Sequence, residues 1–380
     1  MRQALTNARM LIGDALVEGR ALLVEDGLIA DIVSAGDIPP GYSVRDLEGD
    51  LLAPGFVDTQ VNGGGGVLFN ETPTVEAIAA IGAAHRRFGT TGFLPTLISD
   101  DLDVMAEAVA AVEQAIASGV PGVLGIHIEG PFLSPERRGI HDADKIRALD
   151  EPGYKVLTGL KSGRTMVTLA PEETRPGTIR RLVEAGVIVS AGHTNGSYED
   201  GRRALDEGLS GFTHLFNAMS PLTVREPGIV GAALEDIHAW CGIIVDGRHV
   251  APATLRIALR CRPLNRFMLV TDAMPTVGQP EKSFTLQGRS IVVRDGVCVD
   301  ESGTIAGSDL DMACAVRNAM SMLGLSLEAA LAMASRSPAA FLGLDHRLGS
   351  LAPGNEASLV VLDRELQVVD TLIAGDSIGA

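Results

Sequence analysis

Glu129, His193, His214 and Asp272 each stand at or just after the end of a short apolar segment, where a turn residue would be the ordinary expectation. The segments are Val123-Leu124-Gly125-Ile126-His127-Ile128, Val187-Ile188-Val189-Ser190-Ala191, Gly211-Phe212 and Phe267-Met268-Leu269-Val270. One carboxylate and two imidazoles make a donor set suited to Zn2+, with a position left for water. A second carboxylate, Asp272, would then take the proton of that water. Singly, such a histidine is more often an ordinary hydrogen-bonding side chain, and such an aspartate often caps the next helix. Four of them on four separate segments make the metal site the better reading.

The stretch PGFVDTQVNGGGG, Pro54 to Gly66, raises a further question. Alternation puts Gln60 and Asn62 on one face of a strand. Many metal-dependent hydrolases carry His-x-His at such a place. Carboxamides are weak ligands for a borderline-soft ion, so this is expected to be a vacated second-metal subsite, leaving a single metal. The run Gly63 to Gly66 reads as a tight turn beside the site, since no helix-opening Gly-Lys-Ser/Thr follows it.

Residues this far apart in sequence need a scaffold that gathers strand ends. The middle of the chain supplies one, alternating strand-like segments with helical patterns at 74–88, 102–117, 177–185 and 253–260. Repeated β-then-α units mean parallel strands with crossover helices. About eight strands and no Gly-rich dinucleotide turn favour an α/β fold of the (β/α)8 TIM type over an open doubly wound sheet. Chemistry in such a barrel gathers at the C-terminal strand ends. Both chain ends read differently. Ala21–Val24 and Leu28–Val33 flank Asp26-Gly27, a strong hairpin signal, and two further strand patterns fall at 357–363 and 366–373. The expected division is a small β-sandwich domain from residues 1–51 and 346–380, with 52–345 as the barrel.

Composition limits the partners. The chain has 380 residues, 46% of them hydrophobic, and a net charge of -17. That charge argues against nucleic acid and against anionic membrane surfaces, while a few local basic groups can still receive a small anion. Cys241, Cys261, Cys298 and Cys314 form no C-x-x-C pair and read as reduced structural thiols. With no signal-peptide pattern and no long apolar run, a cytoplasmic location is expected. Arg137 and Arg138 read as a solvated loop.

Eight stretches recur in one order along essentially the whole chain: PGFVDTQVNGGGG, HIEGPFLSPERRGIH (127–141), TLAPE (168–172), GHTNGSY (192–198), THLFNAMSPLTVREPGIVGAAL (213–234), DGRHV (246–250), VTDAM (270–274) and AGSDLDM (306–312). On these the chain resembles the amidohydrolase superfamily and, within it, the N-acetylglucosamine-6-phosphate deacetylase family. The resemblance implies a homodimer that hydrolyses the acetamide of N-acetyl-D-glucosamine 6-phosphate, giving D-glucosamine 6-phosphate and acetate in amino-sugar catabolism or cell-wall recycling. It implies one divalent metal per subunit, Zn2+ ahead of Fe2+, Mn2+ or Co2+, on Glu129, His193 and His214. It makes Asp272 the catalytic acid/base and His141 the group that polarises the substrate carbonyl. Ile140, Asn217, Ala218, Arg225 and His249 match substrate contacts. The last two match phosphate contacts, with Arg225 reaching across the dimer. Ile305, Ala306 and Gly307 match a substrate-lining turn. The chain departs from the family at Pro135–Gly139, where a lysine-rich version is usual. Two rival readings are an N-acetylgalactosamine-6-phosphate deacetylase and a non-catalytic scaffold, the latter opposed by the presence of Asp272 and all three ligand residues.

Overall fold

The computed structural model describes residues 2–377. At its centre eight parallel strands follow one another in sequence order: β1 (Phe56–Val61), β2 (Thr90–Ile98), β3 (Gly125–Glu129), β4 (Arg164–Leu169), β5 (Ile188–Ala191), β6 (Gly211–Phe212), β7 (Trp240–Ile243) and β8 (Phe267–Leu269). Closure between β8 and β1 is made just beyond the strand ends. Val61 bridges Ala273, the Asp272 N–H donates to the Gln60 carbonyl, and the Asn62 N–H donates to the Ala273 carbonyl. The Asp58 carboxylate reinforces this seam by accepting from the Thr271 hydroxyl. The result is a (β/α)8 barrel.

Its strands are buried on both faces, as parallel strands between a filled interior and covering helices must be. All nine residues of β2 are buried. The helices carry the matching stripe. Leu102–Ala117 buries Met105, Ala108, Val112 and Ala115 at three- and four-residue spacing. Thr74 starts Val75–Arg86 by accepting from the Ala77 N–H.

The chain ends fold together into two sheets. One contains Leu28–Ser34, Arg20–Glu25, Arg2–Thr6 and Ser43–Asp46. The other joins C-terminal strands to N-terminal ones, with Leu359–Leu362 antiparallel to Leu51–Pro54. Leu5, Leu22, Val24, Leu52, Leu359 and Leu372 share one core between them, so the unit is a small β-sandwich. Asp26 (φ 48°) and Gly27 (φ 84°) make the expected hairpin turn. Because Leu51–Pro54 runs directly into β1, the sandwich fixes where the barrel begins.

One element departs from the expected pattern. After β8 the chain builds an antiparallel four-stranded sheet from Ser283–Leu286, Arg289–Arg294, Val297–Val299 and Ile305–Ser308. The segment around Ile305, expected as a turn, is therefore the last strand of an insert, and Ser308 bridges back to Ala273 at the barrel mouth. Among the described residues no helix is long and apolar enough to cross a membrane.

Candidate active site

Glu129 is the last residue of β3, while His193 and His214 each lie two residues beyond the ends of β5 and β6. All three are buried. Glu129 Oε1 is 3.3 Å from His193 Nε2 and 3.0 Å from His214 Nε2, and the two imidazole nitrogens are 3.1 Å apart. Four ligands around a zinc ion at about 2.0–2.1 Å would sit about 3.3 Å from one another, so this triangle fits one face of such a tetrahedron. The tautomer of His193 agrees. Its Nδ1–H donates to the Arg137 carbonyl at 2.9 Å, which leaves the Nε2 lone pair on the inner side. Burial alone would raise the Glu129 carboxyl, but the His193 and His214 imidazoles beside it hold it well below the usual range. The residues can hold a divalent metal ion.

His193 (φ 49°), His214 (φ 32°) and Asp272 (φ 52°) all adopt the left-handed backbone region. A non-glycine residue there is strained and persists where its surroundings impose the conformation. Three at one barrel mouth mark a built site.

Asp272 lies three residues past β8 and meets the strand-1 carboxamides. Asn62 Nδ2 donates to Asp272 Oδ1 at 2.7 Å, and Gln60 Nε2 donates to the same oxygen at 3.1 Å and to Glu129 Oε1 at 3.1 Å. At the two carboxamides, expected to form a vacated second-metal subsite, amide N–H donors face the carboxylates of Asp272 and Glu129. Burial, followed by the nearby negative charge of Glu129, pushes the Asp272 carboxyl up to about 6. The insert touches Asp272 from behind: its carbonyl accepts the Ser308 N–H at 2.9 Å. Gly307 is required there, because a Cβ would come within 2.7 Å of that carbonyl and φ is +84°.

A cavity of about 380 Å³ opens over these groups. The predicted residues Ile140, His141, Asn217, Ala218, His249, Ile305, Ala306 and Gly307 all line it. His141 packs against His193 with ring centroids 4.4 Å apart and the planes tilted by 57°, and burial, then that imidazole, hold its pKa well below the usual histidine value. His249 donates Nδ1–H to Asp246 Oδ2 at 2.5 Å, while its buried Nε2 has no partner among the described residues. Asn217 Nδ2 donates to the His214 carbonyl. Arg225 stands apart: it is exposed, on a loop outside the lining. Arg137, expected in a solvated loop, lines the cavity together with Glu136, and its carbonyl orients His193.

The amidohydrolase family model matches residues 51–378 of this chain. The chain belongs to the amidohydrolase family. Among characterised relatives it is 44% identical to the N-acetylgalactosamine-6-phosphate deacetylase of Shewanella sp. (strain ANA-3), over 97% of this chain and 94% of that one. It is 34% identical to the N-acetylglucosamine-6-phosphate deacetylase of Haemophilus influenzae, over 99% of both. The crystal structure of N-acetylglucosamine-6-phosphate deacetylase from Pasteurella multocida superposes with a TM-score of 0.96 at 35% identity, covering 100% of both chains.

Proposed function

We propose that this chain hydrolyses the acetamide of N-acetyl-D-glucosamine 6-phosphate, releasing acetate and D-glucosamine 6-phosphate. The observation that carries the reading is a Glu-His-His ligand set and an adjacent buried Asp272 facing one cavity whose rim includes His141 and His249. One divalent ion per subunit, Zn2+ foremost, is assigned to Glu129, His193 and His214; when bound it activates a water molecule and polarises the acetyl carbonyl. Asp272 accepts the proton of the attacking water. Its Oδ1 is committed to the two amide donors, so the proton is held at Oδ2 and passed from there to the leaving amine. His141 donates to the carbonyl oxygen as negative charge develops on it.

Phosphate recognition is assigned to His249 and to Arg225 of a second subunit. An exposed Arg225 outside the cavity, beside Val224 at 100% exposure and Leu222 at 57%, is what a residue offered to a neighbouring copy should look like. The working unit is then a homodimer, placed in the cytoplasm. Ile140, Asn217, Ala218 and the strand Ile305-Ala306-Gly307 surround the sugar.

The galacto epimer is a second reading, favoured by the 44% identity to a relative of that specificity. Acetate release from N-acetylglucosamine, N-acetylgalactosamine and their 6-phosphates tests both. A kcat/KM for the gluco 6-phosphate above the other three supports the main reading. Preference for the galacto 6-phosphate transfers it to the epimer, and no release from any of the four ends it.

A further inference from the structure

Ser99 follows the last residue of β2 and is fully buried, with 0% of its surface exposed. Two of its groups converge on one atom: Ser99 Oγ lies 2.7 Å from His141 Nδ1, and the Ser99 backbone N–H points at the same nitrogen at 3.3 Å. A backbone N–H can only donate, so Nδ1 must present its lone pair, and the hydroxyl is then a donor as well. A neutral imidazole has one N–H and one lone pair, which puts the proton on Nε2. That nitrogen makes no hydrogen bond among the described residues, and the ring lines the cavity.

The surroundings are shaped for this contact. A Cβ on Gly130 would come within 2.3 Å of Ser99 Oγ, so the hydroxyl occupies space that only a glycine leaves. The insert that follows β8 grips both sides of the pair. Gln287 Nε2 donates to the Ser99 carbonyl at 3.0 Å, and Arg289 Nη1 reaches the Ile140 carbonyl at 3.4 Å, next to His141.

We propose that Ser99 is a positioning residue that fixes His141 as the Nε2–H tautomer and aims that N–H into the cavity as a hydrogen-bond donor. Its two donors act on Nδ1 alone and touch no ligand residue. This rests on the reading of His141 as the donor to the acetyl carbonyl, but the tautomer itself can be tested without any substrate.

The test has two arms, both on the full-length, zinc-loaded protein. In the first, imidazole nitrogen-15 NMR on histidine-labelled wild type, with the His141 signals identified by their loss in His141→Asn, reads which nitrogen carries the proton. Protonated Nε2 with bare Nδ1 is expected, and a proton on Nδ1 overturns the proposal. In the second, Ser99→Ala and Ser99→Thr are compared in acetate release from the 6-phosphate sugar at matched metal content. Partners behind a metal-bound imidazole typically contribute about 10- to 100-fold, and an effect on that scale is expected for the imidazole held by Ser99. Ser99→Ala should lower kcat by about tenfold or more with KM within about twofold, and Ser99→Thr, which keeps the hydroxyl, should recover most of that loss. Unchanged kcat in the alanine variant, or a threonine variant as impaired as alanine, overturns the role of the hydroxyl. If His141→Asn leaves kcat intact while the NMR pattern is as expected, the assignment of His141 fails and the tautomer stands.

Discussion

The barrel mouth has two sides that face the same small volume with opposite chemistry. On the side of β3, β5 and β6, Glu129, His193 and His214 turn three electron-pair donors toward one another, 3.0 to 3.3 Å apart. On the side of β1, Gln60 and Asn62 turn amide N–H groups inward, onto Asp272 and Glu129. Both sides are buried, so depth in the fold does not distinguish them. Residue type does. Lone pairs that converge collect a cation, and N–H groups that converge collect carboxylates. In this barrel the amides hold Asp272 and Glu129 from the β1 side.

That contrast can be broken from either side. The largest effect is expected on the ligand side: His193→Ala should empty the site and abolish activity together, since no neighbouring ion remains to compensate. Elemental analysis and acetate release on the same preparation check this, and full activity without metal would refute it. Next is Asp272→Asn, expected to lower kcat by about 10²- to 10⁴-fold, the range for a positioned acid/base, with metal content near normal. A variant keeping more than a tenth of wild-type kcat would end the assignment. Arg225→Ala should raise KM about 10- to 100-fold for the 6-phosphate sugar only, as a charge-assisted contact is worth about 1.5–3 kcal/mol. An equal rise for the unphosphorylated sugar would remove Arg225 from the phosphate.

A smaller effect sits beneath the strand-1 side. His85 is buried and donates to the Gly63 carbonyl, next to Asn62, and burial pushes its pKa down to about 4. Between about 6.5 and 4 the unfolded chain binds a proton that the folded chain refuses, so stability falls as pH drops through that window. Replacing His85 with Gln removes the titration. The loss of unfolding free energy between pH 7 and pH 5 should shrink by about 2 kcal/mol. Chemical denaturation at both pH values measures it, and an unchanged difference would place the acid sensitivity elsewhere.

Much of this site was legible in the sequence because a polar residue closing an apolar strand is conspicuous. Glu129, His193, His214 and Asp272 could be picked out that way, and the alternation of strands and helices said they would share one barrel face. The function of Gln60 and Asn62 was half legible. Their poor ligand strength follows from residue type, but their donation to Asp272 depends on how β8 returns beside β1, some 210 residues later. The insert carries its own hairpin signal, Asp295-Gly296, of the same kind as Asp26-Gly27. Nothing local says that Gln287 reaches Ser99, or that Gly307 lies against the Asp272 carbonyl. Arg137 was hidden for another reason: its useful atom is a backbone carbonyl, which any residue type would supply.

The contrast between the two sides makes its sharpest claim in a number of ions. Wild-type protein and the double variant Gln60→His with Asn62→His are exposed to equal zinc, freed of loosely held metal, and analysed for zinc per chain. Neutral imidazole is a far better zinc ligand than a carboxamide, so the variant should gain a second ion while the wild type holds about one. Two tightly held ions in the wild type would contradict the account, for then the carboxamides would not be what limits the site to a single metal.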